Sequence, residues 1–290
     1  MAYEHIAPQH VKTRVFEIGD IKIGGDEPFV LIAGPCQIEG MDHALMMAER
    51  IAKACESTGT RFIYKSSYDK ANRSSIGTSR GIGMEEGLNI LQAVKDQFGC
   101  PVLTDVHETT HVDEVKDVID VIQIPAFLCR QTDLLFAAGQ TGRPINIKKG
   151  QFLAPEDMKN VASKIASTGN EKILLCERGV SFGYHALVTD MRSFPIMAET
   201  GYPVVYDVTH SVQQPGAGGQ GGEKAGGQRQ FVPHLARAAV AVGIATLFIE
   251  IYPDPDKAPC DGPSATPLKD LPKLIETLLA IDKLAKNLNA

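Results

Sequence analysis

The chain has 290 residues, of which 43% are hydrophobic and 22% charged, a balance typical of a globular protein with a large core and no extended disorder. Its net charge of −6 argues against nucleic acid or an anionic membrane as the main partner, because both bind to basic surfaces. A small acidic substrate is compatible with this net charge. There is no apolar run near the roughly 20 residues of a membrane span and no secretory pattern, so we expect a soluble protein.

Regular structure begins with two short alternating segments, residues 14–18 and 21–23, on either side of Gly19-Asp20. This spacing predicts a hairpin over residues 14–23, placed where it can plug the bottom of the main fold. Short apolar runs rich in β-branched residues then recur along the chain and predict eight strands. They begin at Phe29, Arg61, Pro101, Val121, Pro144, Lys172, Pro203 and Thr246.

Segments with helical periodicity separate these runs. They cover residues 42–58, 84–98, 109–118, 133–141, 155–167 and 231–242, and a last helix is expected over 268–288. Strands that alternate with helices predict a parallel sheet, and eight such units predict an α/β protein closed into a (β/α)8 TIM barrel. A doubly wound open sheet is the alternative. The length fits one barrel, so we expect a single domain over residues 1–290.

A glycine-rich stretch, residues 214–230, lies between the seventh predicted strand and its helix. Its glycines allow the backbone many conformations, which predicts a mobile loop. The loop would lie on the face where barrel enzymes carry out their chemistry. It is either a lid for the active site or an ordinary flexible connection.

Polar residues follow nearly every predicted strand. A lysine or glutamate in a core strand must pair or reach the rim, so this placement predicts one polar pocket at the carboxyl ends of the strands. A rim salt bridge is the alternative for each residue taken singly. Cations from three strand ends indicate a substrate with several negative charges, both phosphate and carboxylate. They are Lys65, Lys70, Arg73, Lys148 and Arg178, and Arg130 either adds a contact or begins a helix.

Four potential metal ligands follow the first, seventh and eighth strands, which are neighbours in a closed barrel: Cys36, His210, Glu250 and Asp261. A thiol, an imidazole and two carboxylates suit Zn(II), Fe(II) or Mn(II) better than Mg(II). A small buried thiol is the alternative for Cys36. All six cysteines lack close pairing in the sequence, and we expect them to be reduced thiols in the cytoplasm. They are Cys36, Cys55, Cys100, Cys129, Cys176 and Cys260.

Taken together, these segments closely resemble the 3-deoxy-D-manno-octulosonate 8-phosphate synthases over nearly the whole chain. The most specific element is the Lys-Ala-Asn-Arg-Ser-Ser run, because the related synthase of the seven-carbon shikimate precursor has a different motif there. The matching segments are Ala33-Gly-Pro-Cys36, Lys65-Ser-Ser-Tyr-Asp-Lys-Ala-Asn-Arg-Ser-Ser75, Thr104-Asp-Val-His107, Gln123-Ile-Pro-Ala-Phe127, Asn146-Ile-Lys-Lys149, Asp207-Val-Thr-His210 and Cys260-Asp-Gly-Pro-Ser-Ala265.

The resemblance implies condensation of phosphoenolpyruvate with D-arabinose 5-phosphate and water in lipopolysaccharide biosynthesis. It implies that the phosphoenolpyruvate site comprises Lys65, Ser67, Lys70, Gln123, Lys148, Arg178 and His210, with the cations and His210 in catalytic roles. It implies that the arabinose phosphate site comprises Asn72, Arg73 and Ser74, with Asp105 near the sugar hydroxyls and Arg130 reaching a neighbouring subunit's phosphate. A homotetramer is implied as well.

The family has a metal-dependent branch with Cys, and a metal-independent branch with Asn, at the end of the first strand. Cys36 therefore implies a divalent metal, with His210, Glu250 and Asp261 as the other ligands and no organic cofactor. Two features depart from that branch. Tyr252 stands where it would have His, and the segment after Cys260 is familiar from the metal-independent branch.

Two other functions stay open. One is a phosphoenolpyruvate-dependent synthase that uses a different aldose phosphate or sugar. The other is a barrel without catalytic activity that binds a phosphorylated metabolite and acts through partner proteins. The complete set of strand-end residues favours an enzyme over the second alternative.

Overall fold

Eight of the fifteen described strands form a closed parallel barrel, and one further short strand pairs in parallel at the end of the sheet. The computed structural model describes residues 11–73, 77, 80–218 and 224–288. The strands are β1 (Phe16–Ile18), β2 (Ile21–Ile23), β3 (Val30–Gly34), β4 (Phe62–Lys65), β5 (Val102–Asp105), β6 (Val121–Ile124), β7 (Ile145–Lys148), β8 (Ile173–Glu177), β9 (Val180–Ser181), β10 (Leu187–Val188), β11 (Val204–Asp207), β12 (Gln213–Gly218), β13 (Lys224–Gly227), β14 (Thr246–Tyr252) and β15 (Thr266–Pro267).

The central sheet is closed. β3 to β8 and β11 pair in order, and β14 pairs in parallel with both β11 and β3. Each of these runs begins within a residue or two of its predicted strand. The prediction of a (β/α)8 TIM barrel is confirmed, and the doubly wound open sheet is wrong, because an open sheet would leave β3 or β14 without one of these neighbours.

The barrel has two apolar layers because successive side chains of a strand point to opposite faces. In β3, Val30 and Ile32 point into the barrel, whereas Leu31 and Ala33 pack towards the helices. Every one of these side chains is at most 2% exposed. The runs therefore read as continuous apolar segments in the sequence, as is usual for parallel strands buried on both faces.

The amino-terminal hairpin closes the bottom of the barrel, as predicted. Ile18, Ile21 and Ile23 are buried in the cluster that fills the barrel interior. The turn between β1 and β2 is held by an ion pair from Asp20 to Arg61, the residue just before β4. The hairpin therefore lies against the amino ends of the strands, opposite the predicted pocket.

The described helices are α1 (Met41–Glu56), α2 (Met84–Phe98), α3 (Thr109–Val115), α4 (Thr132–Gln140), α5 (Met158–Ala166), α6 (Ser193–Ala198), α7 (Val208–Ser211), α8 (Val232–Val242) and α9 (Leu271–Leu288). All except α7 cover the outside of the barrel; α7 is a single turn that follows β11 at the carboxyl ends of the strands. The predicted boundaries agree to within three residues. α6 has only six residues and contains a proline, so its helical periodicity is too short to detect in the sequence. No helix of the described residues is long and apolar enough to cross a membrane.

The glycine-rich stretch contains more regular structure than the sequence indicates. β12 and β13 pair antiparallel, with Gln213 opposite Gly227 and Gln214 opposite Gly226. We call these two strands the ribbon. Residues 219–223 lie outside the described part of the chain, and the mobility of residues 214–230 stays a prediction, as does the assignment of residues 1–290 to one domain.

Substitution of a buried residue of the hairpin tests whether the hairpin closes the bottom of the barrel. Ile23 is 0% exposed, so we expect Ile23→Ala to lower the free energy of unfolding by about 2–5 kcal/mol through lost burial and the cavity left behind. Urea denaturation followed by circular dichroism measures this change. Val15→Ala, at a position that is 51% exposed, is the control and should change the value by less than about 0.5 kcal/mol. Equal effects would contradict the plug.

Candidate active site

The alternation that builds the barrel core also places the polar residues. Ile63, Leu103, Val121 and Phe248 point into the barrel, so the residues two positions further along point the same way, at the carboxyl end. These residues are Lys65, Asp105, Gln123 and Glu250, and the same rule applies to Asp207 after Val205 and Arg178 after Cys176. One pocket at this end is thus a consequence of strand geometry.

The polar pocket is a cavity of about 620 Å³ at the carboxyl ends of the strands. It is lined by most of the predicted site residues: Lys65, Ser67, Lys70, Asn72, Arg73, Asp105, Gln123, Lys148, Arg178, His210 and Asp261. Cys36 and Glu250 are buried and do not line the cavity, but they contact the lining residues Cys260 and Lys65. Arg130 is exposed and does not line the cavity, and Ser74 lies outside the described residues.

Lys65 and Glu250 form a buried ion pair at the floor of the cavity. Lys65 Nζ lies 2.6 Å from Glu250 Oε1 and donates to the Cys36 carbonyl at 3.0 Å. Burial alone would lower the pKa of Lys65, but the neighbouring Glu250 and Asp105 outweigh it, and the pKa lies above its usual value. Burial would raise the pKa of Glu250, yet Lys65 and His210 hold it at about 2. Both groups are therefore charged at neutral pH.

Lys148, Asp207 and His210 form a second charged group. Lys148 Nζ pairs with Asp207 Oδ2 and lies 3.8 Å from the centre of the Phe248 ring. His210 Nδ1 lies 2.7 Å from the same carboxylate oxygen, and the His210 backbone N–H donates to the other one. Burial would raise the pKa of Asp207, but His210 and Lys148 lower it well below its usual range. A carboxylate only accepts, so His210 Nδ1 donates in this hydrogen bond.

Lys70 begins a hydrogen-bonded chain on the opposite wall. Its Nζ donates to Ser67 Oγ at 3.0 Å, and Ser67 donates to Asp105 Oδ1. Burial and the nearby Lys65 lower the pKa of Lys70 to about 8. Asp105 also contacts His107 Nε2 at 3.0 Å. Burial would raise the pKa of Asp105, but His107 and Lys70 keep it well below its usual range.

Arg178 and Lys148 are buried in the wall of the cavity. Arg178 is only 4% exposed and Lys148 only 6%. Burial lowers the pKa of Arg178, and Asp207 partly offsets this. Its Nη2 donates to Gln213 Oε1 at 3.2 Å, and its Nη1 is buried without a hydrogen-bond partner among the described residues. The guanidinium thus has donor capacity left for an anionic substrate.

A buried pair behind Arg178 fixes its backbone. Glu177 Oε1 accepts hydrogen bonds from the backbone N–H groups of Arg178 and Gly179, at 2.9 and 2.6 Å. Its other oxygen lies 3.4 Å from Lys149 Nζ, and both side chains are fully buried. The pair points away from the barrel interior, as the alternation requires, so it supports the site without lining it.

A group of potential metal ligands lies beside the Lys65–Glu250 pair. His210 Nε2 is 3.8 Å from Glu250 Oε1 and 3.9 Å from Asp261 Oδ2. Ligand atoms of these three residues all lie within 4.8 Å of one another, and so do those of Cys36, Cys260 and Asp261. Glu250 Oε2 is buried without a hydrogen-bond partner in the described part of the chain. Asp261 belongs to both groups, so it connects the predicted ligands His210 and Glu250 with Cys36.

Two cysteines differ from the sequence prediction. Cys36 and Cys260 are joined by a disulfide, so the prediction of six reduced thiols is wrong for this pair. Their sulfurs approach only because the end of β3 and the segment after β14 meet in the closed barrel, across 224 residues of sequence. The other four are buried free thiols. Burial raises the pKa of Cys55 to about 12 and of Cys100 to about 11, which makes them unreactive.

Among the cavity-lining residues that the sequence did not predict, three bond directly to predicted site residues: His107, Gln213 and Cys260. His107 lies two residues after Asp105, and the Asp-Val-His pattern was a usable signal for it. Gln213 is one of several glutamines at the start of the glycine-rich stretch, and nothing in its local sequence separates it from Gln214. Cys260 precedes the predicted ligand Asp261.

A (β/α)8 barrel with buried cations and a potential metal site at the carboxyl ends of its strands is the architecture of an enzyme for a phosphorylated substrate. The model of the DAHP synthetase I family matches residues 6–287. The chain therefore belongs to this family.

Three similar proteins are each named 2-dehydro-3-deoxyphosphooctonate aldolase. The one from Granulibacter bethesdensis is 57% identical and covers 95% of this chain and 96% of its own length. That from Geobacter sulfurreducens is 57% identical over 94% and 100%. That from Bartonella quintana is 56% identical over 95% and 98%. Full-length similarity at this level supports the resemblance found in the motifs.

The depressed pKa of Glu250 predicts acid sensitivity. Its ordinary value is 4.5 and its folded value about 2, so the charged form contributes up to about 3 kcal/mol to the free energy of unfolding. That contribution is fully present above pH 4.5 or so and is lost as the pH falls towards 2. We expect Glu250→Gln to flatten the acid limb of stability against pH, measured by urea denaturation from pH 7 to 3. If the free energy of unfolding of Glu250→Gln fell with pH as steeply as that of wild type, the prediction would be contradicted. Glu17→Gln, at an exposed carboxyl, is the control.

Proposed function

We propose that this enzyme condenses phosphoenolpyruvate with D-arabinose 5-phosphate and water, and releases 3-deoxy-D-manno-octulosonate 8-phosphate and inorganic phosphate. The observation that carries the proposal is one cavity lined by five cationic side chains, large enough for two small phosphorylated substrates. The names of the similar proteins agree with an eight-carbon product. The reaction belongs to lipopolysaccharide biosynthesis in the cytoplasm.

The phosphoenolpyruvate site comprises Lys65, Ser67, Lys70, Gln123, Lys148, Arg178 and His210. Arg178 and Lys148 are the main anion ligands, because they are buried in a low-dielectric wall where a charge-assisted hydrogen bond is strong. Arg178 Nη1 supplies a donor that the described protein residues do not use. The second site comprises Asn72, Arg73, Ser74 and Asp105, with Arg130 from a neighbouring subunit.

The chemistry forms one carbon–carbon bond and one carbon–oxygen bond, the latter between water and carbon 2, and breaks the carbon–oxygen bond to the leaving phosphate. Carbon 3 of phosphoenolpyruvate attacks the sugar aldehyde, whose oxygen takes up a proton, while water adds at carbon 2 and loses one. The tetrahedral intermediate then expels phosphate and leaves a ketone. Lys148 and Arg178 stabilise the negative charge that develops, and they are held in place before substrate binds by Asp207 and Gln213.

His210 is suited to move a proton. Asp207 holds its Nδ1, so Nε2 faces the cavity wall beside Glu250 and Asp261. An imidazole fixed in this way accepts a proton at Nε2 without changing position. Lys70, whose pKa is about 8, is a second group that exchanges protons near neutral pH.

The same residues fit a divalent metal, Zn, Fe or Mn. Glu250 Oε2 is an orphaned buried acceptor, and the other oxygen of the same carboxylate lies 3.8 Å from His210 Nε2. Ligand atoms of His210, Glu250 and Asp261 lie within 4.8 Å of one another. With Cys36 they make a set of one nitrogen, one sulfur and two oxygen donors. A bound metal there would act as a Lewis acid that polarises an oxygen of a substrate. Cys36 can serve as a ligand only as a free thiolate, since its sulfur is otherwise bonded to Cys260.

Self-association into a homotetramer is part of the proposal. Four aromatic side chains near the cavity mouth are 58–96% exposed: Phe127, Phe152, Phe182 and Tyr184. The loops that carry them adjoin. Ser181 donates its backbone N–H to the Gln151 carbonyl at 2.9 Å, and a Cβ on Gly150 would lie 3.2 Å from the Ala126 carbonyl oxygen, beside Phe127. Exposed aromatic patches of this kind are typical of protein interfaces. Arg130 is exposed, as a contact to another subunit requires.

The substrate is tested by measuring phosphate release with phosphoenolpyruvate and either arabinose 5-phosphate or erythrose 4-phosphate. We expect turnover with the five-carbon sugar. Preference for erythrose 4-phosphate would indicate the seven-carbon synthase, to which the family description also applies. If neither sugar leads to phosphate release but the protein binds a phosphorylated ligand, the result would favour a barrel without catalytic activity.

Arg178→Met tests the anion site. Methionine keeps most of the side-chain volume, which matters because Arg178 is buried and alanine would leave a cavity. We expect kcat/KM for phosphoenolpyruvate to fall by about 100-fold or more. Arg192→Met, at an exposed arginine paired with Asp190, is the matched control and should retain wild-type kinetics. Near-normal activity of Arg178→Met would remove this residue from the site.

Metal content tests the ligand set. We expect protein purified with reductant to hold about one equivalent of metal, a strong chelator to remove both metal and activity, and protein without reductant to bind less. Cys260→Ser frees Cys36 from the disulfide and should bind metal without reductant, whereas Cys36→Ser should bind weakly in both conditions. Metal measured by mass spectrometry is the readout, and Cys100→Ala is the control. Full activity of metal-free wild type would remove the metal from the mechanism.

A further inference from the structure

Gln213 contacts both the anion-binding and the metal-binding parts of the cavity. It is the first residue of β12 and lies opposite Gly227 in the ribbon. Its side chain lines the cavity. The amide nitrogen donates to Asp261 Oδ1 at 2.7 Å, and the amide oxygen accepts from Arg178 Nη2 at 3.2 Å. One side chain thus joins a predicted metal ligand to a predicted substrate ligand.

A carboxamide suits both contacts because it carries an acceptor and a donor. A carboxylate would accept from Arg178 but could not donate to Asp261, and it would repel that carboxylate. A lysine would donate to Asp261 but repel Arg178. Glutamine offers an acceptor and a donor on one planar group, so it satisfies a cation and an anion without adding charge to the cavity.

The contact to Asp261 determines which carboxylate oxygen faces the potential ligands. Gln213 holds Oδ1, whereas Oδ2 lies 3.1 Å from Cys36 Sγ and 3.9 Å from His210 Nε2. The backbone of Asp261 is also constrained, with a left-handed φ of 50°. Outer hydrogen bonds that orient a metal-ligating carboxylate commonly change metal affinity by about 10–100-fold.

The hydrogen bond from Arg178 to Gln213 positions the guanidinium, which is the predicted substrate ligand. Gln213 is the side-chain acceptor for the guanidinium among the described residues, and it leaves Nη1 available. Without it, a buried arginine would have to reorient or lose a charge-assisted hydrogen bond. Correct placement of Arg178 therefore depends on the first residue of the ribbon.

We propose that Gln213 is a positioning residue that orients Arg178 and Asp261 together and so couples the ribbon to both the anion site and the metal site. This inference rests on the proposed function. The ribbon is well placed for such a role, because a Cβ on Gly227 would come within 2.2 Å of Ser264 Oγ, three residues after Asp261. Pro215, Gly216 and Ala225 of the ribbon also line the cavity.

Gln213→Met removes both hydrogen bonds at nearly constant volume. With reduced protein, we expect the dissociation constant for phosphoenolpyruvate to rise roughly 10-fold and that for Zn²⁺, measured by competition with a chromophoric chelator, to rise about 10-fold. KM for phosphoenolpyruvate should rise with it, while KM for the sugar phosphate changes less than about 2-fold. Gln214→Met is the matched control, since Gln214 is the next residue of the same strand and does not line the cavity.

A double-mutant cycle separates positioning from a general effect on the ribbon. In an Arg178→Met background, Gln213→Met should raise the phosphoenolpyruvate dissociation constant by less than about 2-fold, because its partner is already gone. Independent, multiplicative losses would overturn the proposal. If Gln213→Met unfolds, Gln213→Asn replaces it, because asparagine keeps the carboxamide but has a shorter side chain. We then expect both dissociation constants to rise by less than the 10-fold given for Gln213→Met.

The remaining outcomes are distinguishable. Unchanged binding of both ligands by Gln213→Met would overturn the proposal, and loss of one alone would overturn the coupling. Equal losses in Gln214→Met would assign the effect to the ribbon fold and also overturn it. Wild-type protein that releases phosphate but binds no Zn²⁺ would overturn the Asp261 half alone, whereas wild-type protein without turnover would count against the proposed function.

Discussion

Closure of the barrel by β14 is the constraint on which the site depends. Pairing of β14 with both β3 and β11 brings the end of the chain against its beginning. Lys65 and Glu250 meet across 185 residues only for this reason. The two-residue alternation then decides that polar side chains which follow inward-facing apolar residues point into one cavity. The same rule turns Glu177 outward, where it supports the backbone of Arg178.

Charge compensation makes so polar a cavity compatible with a stable fold. Lys65 pairs with Glu250, Lys148 with Asp207, and Lys149 with Glu177. An unpaired buried charge would cost several kcal/mol, whereas a paired and hydrogen-bonded one stays ionised near neutral pH. The cationic side chains of the protein are therefore held in position before any substrate binds, which avoids the free-energy cost of orienting them during the reaction.

The sulfur atom of Cys36 contacts both a cysteine and a carboxylate. Cys36 is bonded to Cys260, and it also lies beside the carboxylate that, with His210 and Glu250, makes up a potential metal site. A thiolate ligand and a disulfide exclude each other, so metal binding through Cys36 would require the reduced cysteine. Reducing conditions favour the thiolate, and oxidising conditions favour the disulfide.

The sequence by itself determined the strands, most helices, the barrel and the set of cations, because these follow from local periodicity and from which residues end each strand. It also contained the motifs that resemble one family. Only the tertiary structure decided the partners: Asp207 for Lys148, His107 for Asp105, Gln213 for Arg178, and Cys260 for Cys36. It also buried Arg178 and left Arg130 outside the cavity. Hydrogen bonds and disulfides depend on distance and direction in space, and residues far apart in sequence acquire these only when the barrel closes.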